Sequence, residues 1–320
     1  MRPSRGIGLL VILALAAGCE SATEVATIDG PRLQVLGTVQ DGGLPHASCR
    51  CARCSAARDD PAQARRVASL GLILPGSDRI FLVDATPDIR AQLESLRALR
   101  RPELTAVDRA PLDGVLLTHA HIGHYTGLAF FGYEAVHTRE LELLCSGRMA
   151  AFLEGNQPWR QLIEIGNVRL APLQPGQPQA LGDGVELEAI GVPHRDELSD
   201  TVGFIFRGPR SRVLYVPDTD GWQHWDPPIE QVVAGVDVAL LDGSFFSMDE
   251  LPGRDQSTIG HPLIRETMDR LEPFVASGAL RVFFTHLNHS NPALDPGDPA
   301  RAEIEARGFA VLDENRLLPL

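Results

Sequence analysis

Residues 119–124 read His-Ala-His-Ile-Gly-His, directly after the apolar run Val115-Leu116-Leu117 and its closing Thr118. Histidines two apart project to the same side of an extended segment, and a third placed three residues later reaches round a turn. Three imidazoles crowded at the end of a buried strand leave ring nitrogens that need partners away from water. A bound metal meets that need, whereas a packing accident does not. The cluster therefore marks a metal site at the end of a strand.

The rest of the chain supplies matching strands. Short apolar runs at 33–36, 68–74, 80–83, 114–117, 185–190, 202–206, 213–216, 236–241 and 282–284 are punctuated by Gly, Pro and Asp, and several end in a polar residue suited to a site. Helical patterns fall at 87–100, 125–131, 146–154, 261–271 and 299–307. Strands alternate with helices in two groups, without a short-period repeat or a low-complexity tract, which predicts one α/β domain over 31–320. A composition 44% hydrophobic and 22% charged excludes disorder. Lys plus Arg number 29 against 42 for Asp plus Glu, a net charge of −13, and no basic run lies beyond the extreme N-terminus. That balance argues against a nucleic-acid backbone as the main partner, which calls for a concentrated positive face.

The first residues address the compartment. Two arginines in residues 1–5, an apolar stretch at 7–17 and then Gly18-Cys19 form a secretory signal too short to span a membrane comfortably. The small residues before Cys19 resemble the lipobox of bacterial lipoproteins, in which the cysteine is lipidated and becomes the new N-terminus; an ordinary cleaved signal is the alternative. The expected division is a signal at 1–18, a tether at 19–30 and a lipid anchor holding the protein in the bacterial cell envelope, on the periplasmic face of the outer membrane. Three of the five cysteines crowd into Cys49-Arg50-Cys51-Ala52-Arg53-Cys54. In an oxidising compartment three such thiols cannot all pair, which leaves metal ligation, or one local disulfide and a free thiol. Cys145 lies in an apolar stretch and reads as a small buried residue.

The histidine run resembles the His-X-His-X-Asp-His signature of the metallo-β-lactamase fold superfamily. The likeness extends to Phe81-Leu82-Val83-Asp84, Gly191-Val192-Pro193-His194, Leu214-Tyr215-Val216-Pro217-Asp218 and Phe283-Phe284-Thr285-His286, each in the family order. It implies an αββα sandwich, two mixed β-sheets flanked by helices. It also implies one metal held by His119, His121 and His194, a second by His124, Asp218 and His286, and a supporting role for Asp84. Within the superfamily the chain is most similar to the pyrroloquinoline-quinone biosynthesis protein B group, through Val35-Leu36-Gly37, Gly42-Gly43, Cys49-X-Cys51-X-X-Cys54, the block from Asp84 through Thr86-Pro87 to Arg90, and Asn288-His289-Ser290-Asn291-Pro292. A related branch, the cyclic phosphodiesterase of phosphonate breakdown, carries a structural zinc whose fourth ligand follows the last active-site histidine by three residues. His289 has that spacing from His286, so the resemblance implies a tetrahedral zinc on Cys49, Cys51, Cys54 and His289.

One departure stands out: Gly123 occupies the position of the signature's aspartate. Either one metal is bound or another group fills the gap, and Asp41, in the loop from Gln40 to His46, is the candidate, with turn capping as its alternative. The resemblance implies a metal-dependent hydrolase of ester or phosphodiester bonds in a small-molecule substrate, using water activated by one or two ions of Zn, Mn or Fe. Asp218 would bridge or orient the nucleophile. His261 is the candidate proton donor or oxyanion ligand, with helix capping as its alternative, and His46, Tyr125, Trp222 and Trp225 are candidate pocket residues, with packing as theirs. Two rival readings stand beside this one: an iron-dependent oxygenase of quinone-cofactor biosynthesis, against which export counts, and a non-catalytic metal-binding lipoprotein.

Overall fold

Strand runs with buried residues at successive positions need cover on both faces, and the chain provides it in four layers. The computed structural model describes residues 29–97, 99, 110–250, 253, 255, 258 and 260–320. The proposed signal and Cys19 lie outside the described residues. The strands are β1 (Arg32–Gly37), β2 (Ser69–Leu74), β3 (Arg79–Val83), β4 (Gly114–Leu116), β5 (Leu141–Cys145), β6 (Val168–Pro172), β7 (Gln179–Gly182), β8 (Val185–Val192), β9 (Thr201–Arg207), β10 (Arg212–Val216), β11 (Val238–Asp242), β12 (Arg281–Thr285), β13 (Ala310–Val311) and β14 (Leu317–Pro319). They form two seven-stranded sheets, ordered β14-β1-β2-β3-β4-β5-β6 and β13-β12-β11-β10-β9-β8-β7. Both sheets are mixed: β3 to β6 and β10 to β13 run parallel, and the remaining pairs are antiparallel.

Alternation along the strands sends side chains to opposite layers. Val35, Leu72 and Phe81 of the first sheet meet Phe204, Phe206, Tyr215 and Leu240 of the second in one central core. Their neighbours Leu36, Ile73 and Leu82 face outward onto helices α2 (Ile89–Arg97) and α4 (Gly147–Gly155). On the far side Leu214, Val216 and Leu241 pack on α6 (Ile229–Val233), α7 (Ile264–Ala276) and α8 (Pro299–Ala306). Truncating a fully buried phenylalanine of the central layer to alanine costs about 3–5 kcal/mol. This is the αββα arrangement that the resemblance implies.

Shorter elements differ from the sequence reading. Helices α1 (Ala52–Asp59), α3 (Ile122–Tyr125) and α5 (Trp159–Glu164) complete the set. The helical pattern at 125–131 resolves into α3 and a 3-10 segment, Thr126–Phe131. That expected at 261–271 starts three residues later, because Phe245 pairs with Leu263 as an isolated bridge and holds the entry extended. Strands β5, β6, β7, β13 and β14 lie outside the apolar runs that the sequence announces. The expected strands β3, β4, β10, β11 and β12 all end at one rim, where their C-terminal residues meet, the usual place for a ligand in a sheet with parallel strands.

Candidate metal centre

The histidine loop is built on Asp84, which follows β3 in a left-handed conformation (φ 64°) that a non-glycine residue adopts only when its surroundings demand it. Its buried carboxylate accepts the Thr118 N–H at 2.9 Å, the Thr118 hydroxyl at 3.0 Å and His124 Nδ1–H at 2.8 Å. A proton committed on Nδ1 leaves the Nε2 lone pair of His124 free to ligate. Thr118 Oγ1 stands 3.0 Å from His119 Nδ1, and Asp220 Oδ1 3.0 Å from His194 Nδ1, so these two rings are oriented in the same way. His286, at the end of β12, is also left-handed (φ 59°), with Nδ1 3.2 Å from Ser244 Oγ.

These loops converge on Asp218. Its Oδ2 lies 3.3 Å from His119 Nε2, 3.2 Å from His194 Nε2, 3.8 Å from His121 Nδ1, 3.9 Å from His286 Nε2 and 4.0 Å from His124 Nε2. Its other oxygen is 3.3 Å from His261 Nδ1. Asp41 Oδ1 sits 3.5 Å from both His124 Nε2 and His286 Nε2. Among the donor atoms around this carboxylate, His119, His121 and His194 gather with Asp218, and Asp41, His124 and His286 gather together.

Buried polar atoms normally have partners, yet His119 Nε2, His124 Nε2, His286 Nε2, Asp41 Oδ1 and Asp218 Oδ1 have no hydrogen bond. An apolar filling would leave all five unsatisfied, and a divalent cation satisfies them, so the residues fit a metal. The electrostatics agree. Burial opposes ionisation of Asp218, but His286, His261 and His119 hold its carboxyl well below the usual carboxylate range. Burial likewise works against Asp41, and His124 and His286 hold it down. Burial, then the neighbouring His124, push His119 well below the ordinary imidazole value, whereas Asp84 and Asp41 raise His124 well above it against burial.

His261 faces the same carboxylate and forms a further donor cluster with Asp218, Asp242 and His286. Its Nδ1 is 2.8 Å from Asp242 Oδ2, and despite burial Asp242 and Asp218 push the ring up to about 9. It does not cap α7, whose N-cap is Leu263. Asp242 also takes the Thr219 N–H at 3.1 Å, bracing the loop that carries Asp218. Sequence reading missed Asp242, although an apolar run ending in a carboxylate is the signal that singled out Asp84 and Asp218. It also missed Asp220 and the exposed Glu197, whose Oε1 lies 3.4 Å from His121 Nε2. A cavity of about 410 Å³ adjoins His194, lined in part by Pro193, Asp196, Thr201, His224 and Asp226.

The candidate pocket residues lie elsewhere. Tyr125 packs edge-on against Phe152 and Trp159 inside the outer core of the first sheet. Trp222 is buried and donates to Thr267 Oγ1 at 2.8 Å, and Trp225 donates to Thr219 Oγ1 at 2.9 Å. Each indole found a buried hydroxyl on the helical side of the second sheet, where packing outweighs a place in the pocket. The His46 ring lies tilted against that of His289 with centroids 4.4 Å apart, and its backbone N–H donates to Cys54 Sγ at 3.3 Å, which places it beside the cysteines.

Cys49, Cys51, Cys54 and His289 bring four ligand atoms within 4.8 Å of one another. The three thiols are free, so the local disulfide is not formed, and His289 Nδ1 is buried without a partner. Arg53 donates to the His289 carbonyl at 2.8 Å, clamping the first loop to the last. Cys145 is fully buried, and burial pushes its thiol up to about 12.

Comparison with known proteins agrees with this geometry. The family model described as beta-lactamase superfamily domain matches residues 79–308. Coenzyme PQQ synthesis protein B of Methylobacterium radiotolerans is 28% identical over 314 residues, covering 90% of this chain and 100% of the relative. The protein of the same name from Pseudomonas fluorescens strain Pf0-1 is 28% identical over 87% of this chain and 96% of its own length. Among solved structures, Zn(2+)-bound PqqB from Methylobacterium extorquens superposes with a TM-score of 0.77 at 23% identity, covering 90% of this chain and all of that one. A diphosphatase from the PhnP family gives 0.62 at 20% identity, covering 90% of this chain and 96% of that one.

Proposed function

The chain belongs to the beta-lactamase superfamily, and from that premise we propose that it is a metal-dependent hydrolase of ester or phosphodiester bonds in a small molecule. The observation that carries the reading is Asp218, a single buried carboxylate oxygen with five imidazole nitrogens within 4.0 Å. That arrangement suits two cation positions sharing one anionic ligand. His119, His121 and His194 would hold an ion on one side of Asp218, with His124 and His286 on the other. When bound, such an ion supplies Lewis acidity, lowering the pKa of a coordinated water toward ~7 and polarising the scissile oxygen.

The chain's own residues do the rest. Asp84, Asp220, Thr118 and Ser244 fix the imidazole rings, so that little reorganisation accompanies reaction. Asp242 and Asp218 favour the protonated form of His261, which stands beside the shared carboxylate and would serve as a proton donor to the departing oxygen. Asp242 positions His261 and keeps its proton on the ring. The core around the second sheet excludes water from behind the site.

A second reading is favoured by the full-length likeness to coenzyme PQQ synthesis protein B, which points to a step in quinone-cofactor formation. Turnover of bis-p-nitrophenyl phosphate and of p-nitrophenyl esters by Zn- or Mn-loaded protein, absent in His121→Ala, supports hydrolysis. No turnover of either, together with oxygen uptake by iron-loaded protein, would favour the second reading. The proposal includes attachment to the envelope through Cys19, for which incorporation of labelled palmitate, lost in Cys19→Ser, is the check.

A further inference from the structure

Gly123 leaves the loop between His121 and His124 without the carboxylate that the superfamily signature carries there. A Cβ built on Gly123 would lie 2.3 Å from Asp41 Oδ1, 2.6 Å from Asp41 Cγ and 2.8 Å from Asp41 Cα. No side chain fits at 123 while Asp41 stays where it is, because the clash includes backbone and not only a flexible tip. We propose that Asp41 is the carboxylate ligand of the second metal position, delivered from the N-terminal loop into the space that glycine vacates.

The placement of Asp41 is enforced from both sides. Val39 forms an isolated bridge with Leu287, the Leu287 N–H donates to the Thr38 carbonyl at 3.0 Å, and the Gln40 N–H donates to the Leu287 carbonyl at 3.1 Å. Gln40 Nε2 also donates to Ser244 Oγ at 2.9 Å, the hydroxyl that faces His286 Nδ1. The backbone of Asp41 is thereby fastened beside His286. Gly43 then turns the chain away with φ 69°, its N–H on the Gln40 carbonyl at 2.8 Å. The result is a half-buried aspartate whose Oδ1, His124 Nε2 and His286 Nε2 are all buried and without hydrogen-bond partners. A residue that merely capped its own turn would spend that oxygen on a nearby N–H. An oxygen and two imidazole nitrogens, each nitrogen 3.5 Å from the oxygen, are a ligand set for a divalent ion such as zinc or manganese.

The inference rests on the reading of the site as a metal centre, and metal counting separates the two. Protein loaded with Zn(II), and separately with Mn(II), is freed of loose ions and its metal per chain measured in wild type, Asp41→Asn, Gly123→Asp and the exchange Asp41→Gly/Gly123→Asp. Asp41→Asn is expected to bind its second active-site equivalent more than about tenfold more weakly, since even supporting partners of a ligand act over 10–100-fold. The exchange restores that equivalent, and Gly123→Asp alone gains none over wild type. Wild-type stoichiometry and affinity in Asp41→Asn overturn the assignment. Should that variant fail to fold, Gly123→Asp decides, because an extra equivalent there means that the native site lacks a carboxylate. Wild-type protein that holds the full complement but hydrolyses nothing contradicts the functional proposal and leaves the role of Asp41 standing.

Discussion

Asp84 acts on the site only through hydrogen bonds, which makes it a sharp test of how the rings are oriented. In Asp84→Asn the amide oxygen still accepts from Thr118, but the amide NH₂ faces His124 Nδ1 and forces the ring proton onto Nε2, the atom that must ligate. Metal affinity on the His124 side is expected to fall about 10–100-fold with the fold retained; calorimetric titration with Zn(II) measures it, and unchanged affinity would show that the tautomer is set elsewhere. Glu250 gives the pH dependence. Burial pushes its carboxyl from 4.5 up to about 7, against acceptance of the Phe246 and Ser247 N–H groups, the Ser290 hydroxyl and the charge of Arg53. The folded pKa lies above the unfolded one, so this group's contribution to stability is fully present below pH 4.5 and is lost as pH rises through about 7. Gln keeps the acceptor and cannot ionise, so the melting temperature of Glu250→Gln is expected to gain on wild type across that interval. Parallel curves would mean that the carboxyl titrates normally.

At the scale of elements, what the sequence announces depends on how many neighbours an element has. Interior strands such as β2, β4 and β11 are buried at every position, and their unbroken apolar runs are easily read. The edge strands β6, β7 and β14 are half exposed, and β13 has two residues, so their existence is decided by pairing and not by composition. β5 is interior, but Glu142 interrupts its run because Arg169 meets that carboxylate from β6 at 2.9 Å. Among the ligand histidines, His119, His194 and His286 are legible because each follows an apolar run, and His121 and His124 because they fall close behind His119. Asp220 and Glu197 follow no such run, whereas Asp242 closes the run from Val236 to Leu241. His46, Tyr125 and Trp222 were misplaced because an aromatic near a ligand in sequence carries no information on which layer receives it. The two donor clusters differ in kind, and so do their expected failures. The cysteine set offers four protein donors that would close round a structural zinc between the first loop and the last, so Cys51→Ser is expected to release one zinc and lower the melting temperature. His121→Ala should abolish turnover with little loss of stability. Equal destabilisation in both variants would argue against two separate sites.

At the scale of the molecule, two sheets bring the ends of their strands to one rim, and each sheet contributes ligands that the other lacks. His119, His121 and His124 come from the loop after β4, while His194, Asp218 and His286 follow β8, β10 and β12. Asp41 comes from the loop after β1, fastened to the segment after β12, so the site exists only when both halves are packed. That is why ligands scattered over nearly the whole chain converge on one oxygen of Asp218. If this convergence makes a hydrolytic metal centre, turnover must depend on the bound metal. Metal-free protein titrated with Zn(II) or Mn(II), with the rate of bis-p-nitrophenyl phosphate and p-nitrophenyl ester hydrolysis followed at each addition, tests it most directly. Turnover is expected to rise with metal loading and to level off once the sites are full. A rate indistinguishable from the metal-only blank at full loading, with both metals and both substrates, would contradict it.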